Sequence, residues 1–168
     1  IGDGALGLQV ARGGLTGLQA DERAALSLRF SLPEPRLSVG RALAEGAAQP
    51  LASAAADVSD GLVADLGHIC EASRLGATIE AARVPLSPAA RTAVTADPTL
   101  FATILTGGDD YELVFTATPQ SAAALAAMAA RTGVPITRIG HMVAGAGVRV
   151  VDGAGQAVPL PRTGFQHF

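Results

Sequence analysis

The chain has 168 residues, 49% of them hydrophobic and 16% charged, with a formal net charge of −3. That length holds one domain with a real core, and that apolar content excludes a disordered segment. No Lys/Arg cluster supplies a nucleic-acid footprint, and a single cysteine, Cys70, excludes an internal disulfide and fits a reducing cytoplasm.

The opening Ile1-Gly2-Asp3 lacks Met and reads as a start within a longer protein, with no basic and apolar leader. Ala5 to Val10 reads as a short helix broken by Gly13-Gly14. Ala20 to Arg29 is a second helix with Asp21 and Glu22 in its first turn, where they suit the dipole, and Pro33 and Pro35 stop it. Leu37 to Glu45 is a third, ended by Gly46. The small-apolar run Ala52 to Val58 reads as a buried strand. Leu62, Leu66, Ile69 and Cys70 then fall at helical spacing, which predicts a helix over Asp60–Ser73 closed by Gly76. Thr78 to Val84 is a strand, and Pro88–Ala96 and Pro98–Leu105 are short helices. Leu113 to Met128 carries no charge, but Pro119, Gln120 and its threonines make it strand, turn and helix rather than a membrane span. Its strand is Glu112–Thr118 and its helix Ser121–Arg131, ended by Gly133. Ile136–Val143 and Val148–Val151 are further strands, and Ala157–Leu160 is a last short segment. Strands and helices mix without strict alternation, which predicts an α+β fold, a mixed sheet covered by helices, in one domain over 1–168.

Three motifs could carry chemistry. Asp57-Val58-Ser59-Asp60-Gly61-Leu62 sits where a strand gives way to a helix. Hard cations such as Mg²⁺ take oxygen ligands and need few carboxylates when substrate phosphates supply the rest. The helix start at Gly61 offers N–H groups to an anion, and Ser59 could bond a phosphate oxygen. A helix cap accounts for any one of these residues, but two aspartates, a serine and a glycine exceed what a cap requires. Second, Gly107-Gly108-Asp109-Asp110-Tyr111-Glu112-Leu113 turns into a strand whose Glu112 lies among apolar residues. Its carboxylate could accept a hydrogen bond from an amino group on a ligand ring; a solvated strand face accounts for it equally well. Third, the tail Gly164-Phe165-Gln166-His167-Phe168 offers an aromatic face for a flat ligand or for docking on the chain's own surface. His68 and His141 read as structural, and no zinc spacing, P-loop or Rossmann fingerprint is present.

Together, Asp57-Val-Ser-Asp-Gly-Leu62, Ala64-Asp-Leu-Gly-His-Ile69, Gly108-Asp-Asp-Tyr-Glu-Leu113 and the closing Gly-aromatic-x-His-Phe resemble the thiamine-phosphate kinases. These belong to the aminoimidazole ribonucleotide synthetase-like superfamily. Gly2-Asp3-x-Ala5-x-Gly7-Leu8 is similar to the segment that leaves the family's first domain, so 1–18 is expected to lead out of an N-terminal ATP-binding domain. The resemblance implies members about twice this length, with further magnesium-binding aspartates and the main homodimer interface in that first domain. This chain would then supply half a site and be inactive alone. It implies Asp57 and Asp60 as Mg²⁺ ligands and catalytic residues, Ser59 as an ATP contact, and Glu112 and Phe165 as contacts to thiamine phosphate. Gln166 departs from the family's usual Asp before His-Phe.

The implied reaction is transfer of a phosphoryl group from ATP to thiamine phosphate, giving thiamine diphosphate. The acceptor is a phosphate oxygen already ionised near neutral pH, so no side-chain base is required. Two other readings stay open: another enzyme of the superfamily, of selenophosphate synthetase or hydrogenase-maturation type, or a non-catalytic nucleotide-binding domain.

Overall fold

The structure, a computed structural model, describes residues 1–44 and 50–160. In chain order it has α1 (Asp3–Ala11), α2 (Ala20–Ser31), α3 (Leu37–Ala44), β1 (Ala54–Val58), α4 (Leu62–Ser73), β2 (Gly76–Glu80), α5 (Pro88–Ala96), α6 (Leu100–Thr106), β3 (Glu112–Thr116), α7 (Ala122–Thr132), β4 (Gly140–Val143) and β5 (Gly147–Val151). Short 3₁₀ turns cover Ala81–Arg83 and Pro119–Ser121. Local chemistry sets several boundaries. Ser87 accepts the Ala90 N–H at 3.1 Å with Pro88 in the first turn, so α5 begins where the sequence predicts. Gln19 and Glu22 form a reciprocal cap at the start of α2.

The α+β layering is as expected, with the strands divided between two small sheets rather than one. β1 pairs antiparallel with β3, with Asp57 opposite Leu113 and Val58 opposite Glu112. β2 lies between β4, antiparallel, and β5, parallel. The largest core cluster joins the two sheets around α4, through Val58, Leu62, Leu66, Ile69, Ile79, Leu105 and Val114. A second unites α1, α2, α5 and α6 around Leu6, Leu26, Ala90 and Ile104. A third packs Val39 and Leu43 of α3 on Met128 of α7, with Leu113 and Phe115 against it. No helix among the described residues is long and apolar enough to cross a membrane.

Three expectations change. β1 is not buried throughout: Ala55 and Asp57 are exposed while Val58 is fully buried. Side chains alternate across a strand, and only one face of β1 meets α4. α4 starts at Leu62 rather than Asp60, because Gly61 takes φ 117°, outside the helical region. It ends with Arg74 in the left-handed conformation, and Gly76 opens β2 instead of closing the helix.

Candidate active site at the β1–α4 junction

The junction is built by a buried carboxylate. Asp65, in the first turn of α4 and 5% exposed, accepts the backbone N–H groups of Ser59, Asp60 and Gly61 on one oxygen, Oδ2, at 3.0, 3.0 and 3.1 Å. The turn between strand and helix is therefore folded inward around that oxygen. Burial pushes the Asp65 carboxyl above its ordinary value, against the pull of the three N–H groups. Gly61 is required here, since its φ of 117° is closed to side-chain-bearing residues. The Gly61 N–H expected to face an outside anion instead faces Asp65. The amides left for an anion are those of Leu62, Val63 and Ala64, the first-turn donors with no intrahelical acceptor.

A second segment presses onto this turn. The α6–β3 loop docks through Asp109 N–H to the Ser59 carbonyl and Tyr111 N–H to the Val58 carbonyl, both at 2.9 Å. Gly108 allows the approach: a Cβ there would sit 2.1 Å from the Ser59 carbonyl oxygen. Asp109 and Tyr111 have φ of 67° and 50°, so the strand begins at Glu112, where the sequence places it. Asp110 is 5% exposed and bonds the start of α1, accepting Gly2 N–H on Oδ2 at 2.6 Å and Gly4 N–H on Oδ1 at 3.0 Å. Burial pushes its carboxyl up while those N–H groups pull it back. Asp3 extends the junction by accepting the Ser87 hydroxyl at 2.7 Å.

The predicted residues fall into two places. Asp57, Ser59 and Asp60 share the junction, Asp57 exposed and the other two half-buried. Asp60 meets Asp65 and His68, each offering one ligand atom within 4.8 Å of the others. Asp57 is outside that trio. The exposed side chain of His68 is thus at the junction, where a purely structural role was expected. Glu112, opposite Val58, projects from the face of the β1–β3 ladder opposite to Asp57. There its carboxylate accepts Arg36 Nε at 2.8 Å, Arg36 Nη2 at 2.7 Å and Arg29 Nη2 at 2.9 Å. Those guanidinium bonds outweigh the desolvation that would raise it and hold Glu112 below its ordinary value; the same pairing raises Arg36. Glu112 is therefore not a solvated strand residue, and described residues fill three of its roughly four acceptor positions. Phe165 and Gln166 lie outside the described residues.

Sequence reasoning did not assign roles to Asp65, Asp110, Arg29 or Arg36. Asp65 had a usable signal: it falls with Leu62, Leu66 and Ile69 on the stripe that enters the core, where a carboxylate must find donors. The arginines had none, being 83 and 76 residues from Glu112.

This fold, with a strand-to-helix junction carrying paired aspartates, defines a class. The chain belongs to the family described as AIR synthase related protein, C-terminal domain, which matches residues 1–153. Within it, the chain is similar to the thiamine-monophosphate kinase of Escherichia coli strain K12, 38% identical over 167 residues, covering 99% of this chain and 50% of that protein. Among solved structures it is similar to the thiamine-monophosphate kinase of Stenotrophomonas maltophilia K279a, 38% identical with a TM-score of 0.79, covering 94% of this chain and 48% of that one. AaThiL complexed with AMPPCP and TMP is 27% identical with a TM-score of 0.76, covering 100% of this chain and 48% of that one. The chain thus spans about half the length of the relatives it matches.

Proposed function

We propose that this chain supplies one half of a magnesium-dependent site that transfers the γ-phosphoryl group of ATP to thiamine phosphate, giving thiamine diphosphate and ADP. The observation that carries the reading is 38% identity to a thiamine-monophosphate kinase across nearly the whole chain, together with accessible Asp57 and Asp60 at one turn. The complex of AaThiL with AMPPCP and TMP supports the pairing of nucleotide and thiamine phosphate.

The donor set fits a hard cation: Asp57 is exposed, Asp60 is half-buried, and both are carboxylates. Asp57 and Asp60 hold Mg²⁺ in this reading, which supplies charge neutralisation between two anionic reactants. The Ser59 hydroxyl and the Leu62–Ala64 amides bind ATP phosphate oxygens at the positive end of α4. A phosphate oxygen of thiamine phosphate forms the new P–O bond as the bond from the γ-phosphorus to ADP breaks, and positioning does most of the work. Glu112, held in place by Arg29 and Arg36, keeps one acceptor position for an amino group on the substrate ring. Phe165 stacks on the same substrate. The remaining metal ligands come from an N-terminal half like that of the relatives, so the isolated chain is inactive; the whole enzyme is a homodimer and works in the cytoplasm, where ATP is at hand and Cys70 stays a thiol.

The test is thiamine diphosphate formation from thiamine phosphate and Mg·ATP by this chain joined to such an N-terminal half. Product that disappears on chelation of Mg²⁺ supports the reading. A folded protein that binds ATP yet leaves thiamine phosphate unchanged overturns it in favour of a different acceptor.

A further inference from the structure

We propose that Asp65 is a positioning residue for phosphoryl transfer: it sets the shape of the segment from Asp57 to Asp60 without touching substrate. The inference rests on the reading above, in which that segment holds metal and phosphate.

The argument starts from what the turn would do without Asp65. Ser59, Asp60 and Gly61 each carry an N–H, and a connection between strand and helix supplies no backbone acceptor for all three. Asp65 Oδ2 satisfies every one of them, at 3.0 to 3.1 Å. Amides aimed at one point bend the turn around it and leave Ser59 and Asp60 half-buried at its rim. Asp65 is itself fixed, 5% exposed and one position before Leu66 on the buried stripe of α4. The α6–β3 loop closes the opposite side by donating from Asp109 and Tyr111 to the Ser59 and Val58 carbonyls. The turn that follows Asp57 thus has the N–H groups of Ser59, Asp60 and Gly61 held by one element and the carbonyls of Val58 and Ser59 by another. Such a clamp removes the reorganisation that a free turn would undergo on taking a metal and a polyphosphate. A carboxylate with three N–H bonds exceeds what starting a helix requires, since one capping bond suffices for that.

Asp65→Asn preserves shape but puts a neutral amide oxygen where the anionic Oδ2 holds three N–H groups, and those bonds lose their charge assistance. The experiment uses the enzyme with both halves present and has three readouts, all taken well below the melting temperature of each variant. Hydrogen exchange by mass spectrometry of the peptide covering 58–62 should accelerate by about tenfold, with the β2–β4–β5 sheet unchanged. The apparent affinity for Mg²⁺ with AMPPCP, read by calorimetry without turnover, should fall by about 10–100-fold, as when partners that orient metal ligands are removed. In turnover, KM for Mg·ATP should rise more than KM for thiamine phosphate. Faster exchange with wild-type nucleotide binding and wild-type kinetics overturns the inference, because the clamp would then be structural only. If the wild-type enzyme makes no thiamine diphosphate, the proposed function fails, but calorimetry still decides this point: AMPPCP bound by wild type and weakened in Asp65→Asn supports it, and equal or absent binding in both overturns it. Should Asp65→Asn not fold, Asp65→Glu, which keeps the charge at a longer reach, is judged by the same three readouts.

Discussion

Gly108→Ala tests the closest backbone approach at the junction. The new Cβ would lie 2.1 Å from the Ser59 carbonyl oxygen, with the Ser59 carbonyl carbon at 3.1 Å and the Asp60 Cα at 3.3 Å. All three neighbours are backbone, so no side chain can rotate away, and the loop must retreat about 0.9 Å to bring the nearest contact even to 3.0 Å. That retreat lengthens the 2.9 Å bond from Asp109 N–H to the same oxygen beyond useful range and strains the neighbouring Tyr111 bond. Overpacking of this kind costs about 1–3 kcal/mol, and each net hydrogen bond lost about 1 kcal/mol more. A destabilisation of about 3 kcal/mol lowers Tm by about 6–12 °C for a domain of this size. Gly67→Ala is the internal control: it lies inside α4, and a Cβ there meets nothing within 4 Å. It should gain up to about 1 kcal/mol from helix propensity and raise Tm by about 2–4 °C. Differential scanning calorimetry of the two variants beside wild type decides the matter. If Gly108→Ala melts within about 2 °C of wild type, the approach at Ser59 is not a tight constraint, and the reasoning from backbone contact fails.

Three further outcomes are expected. Asp57→Ala should leave Tm within about 1 °C, since the residue is exposed, and lower kcat by about 10²-fold or more in the two-domain enzyme; unchanged turnover at saturating Mg²⁺ removes it from the metal site. Glu112→Gln should cost about 2 kcal/mol in urea denaturation by leaving two part-buried guanidiniums with the exposed Glu34 as their remaining anion among the described residues. Because the folded carboxyl titrates below its ordinary value of 4.5, that deficit should be full above pH 4.5 and shrink as pH falls through the depressed folded value; a deficit that does not change across this window places the stabilisation elsewhere than in the charge. Asp110→Asn leaves one acceptor for two amides, Gly2 and Gly4, and should cost about 1–3 kcal/mol in the same measurement, with faster exchange at the start of α1; normal protection there would show that the loop is held by packing instead.

What was legible in the sequence was local. α5 could be placed because Ser87-Pro88 is both cap and first turn, and the Asp57–Leu62 motif because the apolar pattern changes period beside it. Strand ends were not legible in the same way. Ile136–Val143 reads as one strand in the sequence, yet β4 begins at Gly140, because its partner β2 covers only Gly76–Glu80. A strand's length is set by what it pairs with, which no single run of residues reports. The same holds for charge: Glu112 stood out as a carboxylate in a strand, but the Arg29 and Arg36 that answer it sit at the end of α2 and just before α3. Nothing in the sequence links Gly2 and Gly4 to Asp110, more than a hundred residues away, and only the structure shows their amides meeting it.

The carboxylates of this region divide by what satisfies them, and that division carries functional information. Asp65 and Asp110 are buried and turned onto backbone amides, so much of their acceptor capacity is engaged within the fold. Glu112 is part-buried and neutralised by arginines, so a ligand can share it but not claim it outright. Asp57 lies on the exposed side of its strand, where a carboxylate contributes little to stability and its energetic role is left to whatever binds it. In the proposed function the rigid members would hold the geometry and the accessible one would receive the ligand, a division that phosphoryl transfer needs, because its rate depends on where charges stand when the phosphates meet.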